Sequence, residues 1–187
     1  PGSIQEALST KGPRIVVFEV GGVIKAPRRG KYYAINITEP NVTIAGQTAP
    51  GAGITLEGML KNPYRMKPHL TDVTVRFLRM RPPRPAREGQ GGDCVQLTGV
   101  HRLILDHCTV SWGNDECIDV CNSRDLTIQW CTIEESEREG HEKGHHNFGM
   151  IMGYDGRDAS VHHNLFAHHK RRAPLCGLET LDHRNNV

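Results

Sequence analysis

The sequence predicts an all-β fold, a right-handed parallel β-helix wound from a single chain, with one short helix at its N-terminus. Three observations carry that expectation. Residues 103–110 (LILDHCTV) are echoed by residues 126–133 (LTIQWCTI), 23 positions later. The same pattern recurs at 42–47, 73–78, 159–164 and 181–186. Composition agrees, with 20 glycines, 11 prolines and only 5% aromatic residues, so turns are many and large core side chains few.

Aligning the copies on Gln47, Leu78, Cys108, Cys131, Asn164 and Asn186 exposes the periodicity. Five positions earlier stand Val42, Val73, Leu103, Leu126, Ala159 and Leu181, all apolar. Three positions earlier stand Ile44, Val75, Leu105, Ile128 and Val161, with His183 the exception. Thr43, Thr74, Ile104, Thr127, Ser160 and Asp182 lie between, mostly polar or β-branched. Alternation of this kind is the period of a strand with one face buried. The aligned positions fall 22 to 33 residues apart, a solenoid period with loops of variable length. Parallel strands stacked this way sit about 4.8 Å apart, and parallel crossovers are right-handed.

Taken in order, Ser3 reads as the N-cap of a helix over 4–8, ended by Lys11-Gly12-Pro13. Residues 14–20 read as a strong strand before Gly21-Gly22. Residues 25–40 read as a basic, polar loop with a short strand at 33–37, and 41–51 as the first clear coil. A loop over 61–69 precedes a strand over 73–79. Residues 81–87 form a stiff basic excursion, either a solvated loop or the wall of a groove, and 89–92 a flexible run. Residues 134–147 are a long insertion, 159–167 another coil, and 168–174 a basic run. The whole, 1–187, reads as one domain with an elongated core.

Some functions are disfavoured at once. A net charge of +2 argues against nucleic acid held by bulk electrostatics. No apolar run approaches a membrane span. Of the six cysteines, Cys108 and Cys131 share a column, where they either pair or stack as buried thiols. Cys117 and Cys121 resemble a metal pair only loosely, without a second pair at zinc spacing.

Carboxylates carry the strongest chemical signal. Asp93 precedes Asp115 by 22 residues, about one coil, and Glu116 and Asp119 follow closely. Such acids repel one another unless a cation sits among them, and hard oxygen ligands suit calcium better than zinc. The plainer reading is a solvated acidic turn. His141, His145 and His146 offer a further set of ligands. Asp106-His107 reads as structural, within a strand, and Trp112 as a support for the turn or a groove wall. The offsets of Arg172 and Asp115 from their columns put both on one edge, two coils apart. Lys170, Arg171 and Arg172 are then either an ordinary basic turn or the cationic side of a groove.

Four segments, in order, carry a resemblance: NVTIAGQTAPGAGI, LDHCTVSWGNDE, HEKGHHNFG and HHNLFAHHKRRAP. Together they resemble bacterial pectate lyases of the first polysaccharide lyase family, which have the pectin-lyase-like parallel β-helix. The resemblance implies calcium-dependent cleavage of polygalacturonate by β-elimination, with abstraction of the C5 proton. It implies that Asp93, Asp115 and Asp119 ligate Ca2+, with Glu116 as a supplementary carboxylate. It implies that Lys143, in a His-X-Lys-Gly segment, contacts substrate and assists catalysis. Arg172, in an Arg-X-Pro motif, is then the base, and Lys170 and Arg171 are further substrate contacts. One departure stands out: Leu175 occupies a position where the family often has an arginine. The resemblance also implies a secreted monomer acting on an anionic polysaccharide, with neither nucleic acid nor membrane as partner. It further implies that the chain is an internal segment, truncated at both ends. Three other classes stay open: a glycoside hydrolase using Asp115 and Asp119, a non-catalytic polysaccharide-binding β-helix, and a purely structural solenoid.

Overall fold

The computed structural model describes residues 2–64, 66–83 and 92–187. They form a parallel β-helix whose successive coils contribute to three sheets. The first sheet stacks seven strands in chain order: Arg14–Val16, Val42–Ala45, Thr71–Arg76, His101–Asp106, Arg124–Gln129, Arg157–His162 and Leu181–Arg184. The second stacks six, from Gly22–Lys25 through Ile54–Glu57, Leu78–Arg81, Thr109–Ser111 and Thr132–Glu134 to Leu165–Ala167. The third contains Tyr32–Asn36, Met59–Lys61, Val95–Gln96, Glu116–Asp119, Phe148–Met152 and Leu175–Cys176, with Arg28–Arg29 antiparallel at its edge.

The aligned columns are the core. Val73, Leu103, Val75, Leu105, Ile128 and Val161 are essentially inaccessible, and the strands pair in the register the repeats require, as in Leu103↔Leu126 and Leu105↔Ile128. Cys108 and Cys131 stack as thiols without bonding, and their Sγ atoms donate to the Val75 and Leu105 carbonyls. All six cysteines are free, five of them buried and Cys176 exposed.

Strand boundaries differ from expectation. Two continuous runs read from sequence are each two strands meeting at a corner, residues 73–79 dividing at Phe77 and residues 103–110 at His107, and the 14–20 strand ends at Val16. Phe77, His107, Trp130, His163 and Asn185 all take φ of 52–56° at this corner. For residues other than Gly, Asn or Asp that conformation is strained, at about 1–2 kcal/mol each. Stacking offsets part of it: Phe77–His107, His107–Trp130 and Trp130–His163 centroids are 4.7, 6.0 and 4.3 Å apart, with planes within 18°. Asp106 therefore ends a strand rather than sitting within one. Its structural reading agrees with its bonds, since it accepts from Arg76, His107 and Gln129.

The N-terminal helix runs Ile4–Ser9, and the Ser3 hydroxyl accepts the Glu6 N–H at 3.2 Å, the expected cap. Ile4 and Leu8 are buried in the core, and Arg14 bonds the Ala7 and Leu8 carbonyls, which fixes the helix to the first coils.

A two-rung asparagine ladder holds the later corners. The buried Asn164 side chain accepts from Cys131 N and donates to Ile128 O, both at 2.9 Å, while the Asn186 side chain accepts from Asn164 N at 3.0 Å. Replacing Asn164 by leucine leaves two buried backbone groups unpaired. Asn164→Leu is expected to cost about 2–4 kcal/mol and lower the melting midpoint by roughly 5–10 °C. A thermal melt within about 1 °C of the parent would show that the ladder contributes nothing.

Candidate functional site

The third sheet carries the site because of its register. Apolar-then-outward pairs recur on successive coils: Leu60-Lys61, Val95-Gln96, Ile118-Asp119 and Met150-Ile151. The first member of each is buried, so the pleat turns the second outward. Asn36, Lys61, Gln96, Asp119, Ile151 and Leu175 thus form one column of outward side chains. It is polar for four rungs and apolar for the last two.

Asp93 stands at the entrance to Val95–Gln96, opposite Glu116. Its Oδ1 accepts the Glu116 N–H at 2.9 Å and its Oδ2 accepts from the Gln96 side chain at 3.0 Å. It is 2% exposed. Burial, then the negative charges of Asp119 and Asp115, push its pKa well above the usual carboxylate range, with Lys61 opposing. Asp119 is shifted upward too, chiefly by burial, although its Oδ1 accepts the Cys121 N–H at 2.9 Å. Burial lowers the Lys61 pKa against the pull of Asp93. Asp93, Asp115 and Glu116 bring ligand oxygens within 4.8 Å of one another. Like charges at that separation, with Asp93 and Glu116 buried, fit a bound cation, and an all-oxygen donor set fits a hard one. The turn before Glu116 depends on Gly113, where a side chain would collide with the Glu116 carbonyl.

The 134–147 insertion folds back over these acids. Two of its three histidines converge on Asp115: His141 Nε2 lies 3.2 Å from Oδ2 and His146 Nε2 lies 3.4 Å from Oδ1. His145 instead faces Glu139. Lys31 bonds Glu142 at 2.9 Å and pins the insertion to a coil more than a hundred residues earlier. Under it lies a pocket of about 190 Å³ lined by Asp93, Gln96, Asp115, His141 and Lys143, among others. Lys143 is exposed at its edge, and its N–H donates to His141 Nδ1 at 3.0 Å.

Arg172 reaches the same cluster from the far side. Glu116, Phe148 and Arg171 are in register on three successive coils. The next residue, Arg172, has φ of 68° and lays its guanidinium 3.9 Å from the Phe148 ring centre, where it pairs with Glu116. Glu116 thus serves two neighbours, with one oxygen near the aspartates and a salt bridge to Arg172. Arg171 and Lys170 are exposed, Arg171 at 5.2 Å from the Phe148 centroid. Leu175 is 48% exposed beside Ile151. Trp112 takes φ of 73° and stacks under Arg81 at 5.1 Å. The rest of the basic excursion, residues 84–87, and the run read as flexible, as far as residue 91, lie outside the described residues.

Sequence reasoning missed Lys61, which was read as the start of a loop. It ends a strand and is the resident cation beside Asp93. The signal was available, because Leu60-Lys61 repeats the apolar-then-polar pair of Val95-Gln96.

No family model matches the chain. It is 36% identical over 174 residues to a protein of Aspergillus fumigatus named probable pectate lyase C, an alignment covering 92% of this chain and 37% of the relative. A protein of the same name from Aspergillus terreus is 36% identical over 188 residues, covering the whole chain and 40% of the relative. Pectate lyase 1 of Ambrosia artemisiifolia is 26% identical over 99 residues, 48% of this chain and 22% of its own. The chain spans about two fifths of the length of the Aspergillus relatives it matches. Over nine-tenths of its sequence, therefore, this chain is related to one continuous stretch of proteins that are named pectate lyases.

Proposed function

We propose that this protein is a calcium-dependent pectate lyase of the first polysaccharide lyase family, cleaving polygalacturonate by β-elimination. The observation that carries the reading is the convergence of Asp93, Asp115 and Lys143 on one pocket, with Glu116 close to the two aspartates and paired with Arg172. Asp93, Asp115 and Asp119 would hold Ca2+, which supplies charge neutralisation to a galacturonate carboxylate and so stabilises the enolate formed when the adjacent C5 proton leaves. Lys143 binds a second substrate carboxylate from the pocket edge, and Lys170 and Arg171 extend the cationic side of the groove. Arg172 takes the C5 proton before the C4–O bond breaks. A guanidinium ordinarily stays protonated, so that role comes from the Arg-X-Pro resemblance and implies an alkaline optimum. Glu116 and the Phe148 ring orient the guanidinium. The protein would act as a secreted monomer; among the described residues no helix is long and apolar enough to cross a membrane.

The decisive assay follows unsaturated product and reducing ends from polygalacturonate, with calcium or with chelator. Wild type is expected to release unsaturated product only with calcium. Arg172→Lys, which keeps charge but changes reach and donor geometry, is expected to lose at least ~100-fold in kcat with little change in KM. Reducing ends without unsaturated product would favour hydrolysis by Asp115 and Asp119, and near-normal kcat in Arg172→Lys would remove Arg172 from the chemistry.

The raised pKa of Asp93 gives a second test, with a sign opposite to that of most acids. The folded chain holds a proton there that the unfolded chain releases near pH 4, so stability is lost as pH rises from that value through the raised folded one. Without metal, the melting temperature of wild type is expected to fall from pH 5 to pH 8 more steeply than that of Asp93→Asn, and calcium should restore it at pH 8. Parallel profiles for the two proteins would show that the Asp93 charge is not strained.

A further inference from the structure

We propose that Asp115, His141 and His146 form a second metal site, for a zinc-class divalent ion, which shares Asp115 with the carboxylate cluster. The three side chains bring ligand atoms within 4.8 Å of one another. His141 Nε2 lies 3.2 Å from Asp115 Oδ2 and His146 Nε2 lies 3.4 Å from Oδ1, close enough for one ion with bonds of ~2.0–2.1 Å to join both rings to the carboxylate. Two imidazoles and one carboxylate with an open fourth position are a zinc-class donor set. This set differs in kind from the oxygen cluster of Asp93, Asp115 and Glu116, so the two sites select different ions.

Hydrogen bonding distinguishes the two rings. His146 Nδ1 lies 2.9 Å from the Gly144 carbonyl, which can only accept, so Nδ1 carries the proton. In the neutral ring Nε2 then presents a lone pair to Asp115 Oδ1, an arrangement that favours a cation between them. The carbonyl is the kind of outer partner that orients a metal-bound imidazole. His141 is different. Its Nδ1 accepts the Lys143 N–H at 3.0 Å, so the neutral ring carries its proton on Nε2 and donates it to Asp115. Coordination through Nε2 moves the remaining proton to Nδ1, where it opposes the Lys143 N–H. Metal capture therefore breaks that bond and re-seats the turn carrying Lys143. On the lyase reading, which this consequence alone rests on, zinc both takes Asp115 from calcium and displaces a substrate contact.

The test is calorimetric titration of ZnCl2 into chelator-treated protein, with no substrate present. Wild type is expected to bind one equivalent at this site, and His146→Gln and His141→Gln each to weaken it at least tenfold while keeping the wild-type circular dichroism and melting profile. Asp119→Ala should leave zinc affinity unchanged. No zinc binding, or affinity unchanged in both histidine variants, overturns the proposal. Should either variant misfold, Co2+ bound to wild type decides. Ligand-field bands without thiolate charge transfer support the nitrogen–oxygen site, and a charge-transfer band places the ion on cysteine and overturns it. Zinc binding with these properties but without calcium binding would leave this site standing and remove the calcium reading instead.

Discussion

Everything at the site follows from one electrostatic constraint, the burial of the Asp93 carboxylate beside Asp115 and Asp119. The fold imposes it. Parallel strands in register place equivalent residues of successive coils about 4.8 Å apart, so acids one period apart become neighbours whatever their mutual repulsion. Asp93 meets this with two hydrogen bonds and the charge of Lys61, yet its pKa remains well above the normal range. A bound cation would relieve such crowding of charge.

The same register distributes the remaining chemistry. Along the outward column run the polar rungs Lys61, Gln96 and Asp119, of which Gln96 lines the pocket, and Ile151 and Leu175 continue the column as apolar rungs. Leu175 extends the apolar stretch that begins at Ile151, and Lys170 and Arg171, upstream on the same coil, are exposed. Glu116 joins the two halves, because its oxygens face both the aspartates and Arg172. Glu116 is thus the side chain that links the carboxylate cluster to the guanidinium.

How much of this was legible in the sequence depended on range. The columns of Val, Ile, Leu and Cys could be read directly, because strand alternation and coil period both leave marks on neighbouring residues. The corners could not: φ near 53° at Phe77, His107 and Trp130 is permitted by ring stacking between coils, and no glycine announces it. The pairing of Asp93 with the 115–119 turn was visible as a one-coil spacing, and the shared edge of Asp115 and Arg172 as matching offsets. The convergence of His141 and His146 on Asp115 was not. It depends on how the insertion is pinned, and the pin is a contact between Lys31 and Glu142 at the opposite end of the chain.

The central claim is that register-enforced carboxylates constitute a cation site. Crystallographic difference density from calcium-soaked crystals at neutral pH tests it most directly. The account predicts a single peak about 2.3–2.6 Å from oxygens of Asp93, Asp115 and Asp119. Asp93 and Asp115 bonded only to protein groups at saturating calcium, with no peak among them, would contradict it.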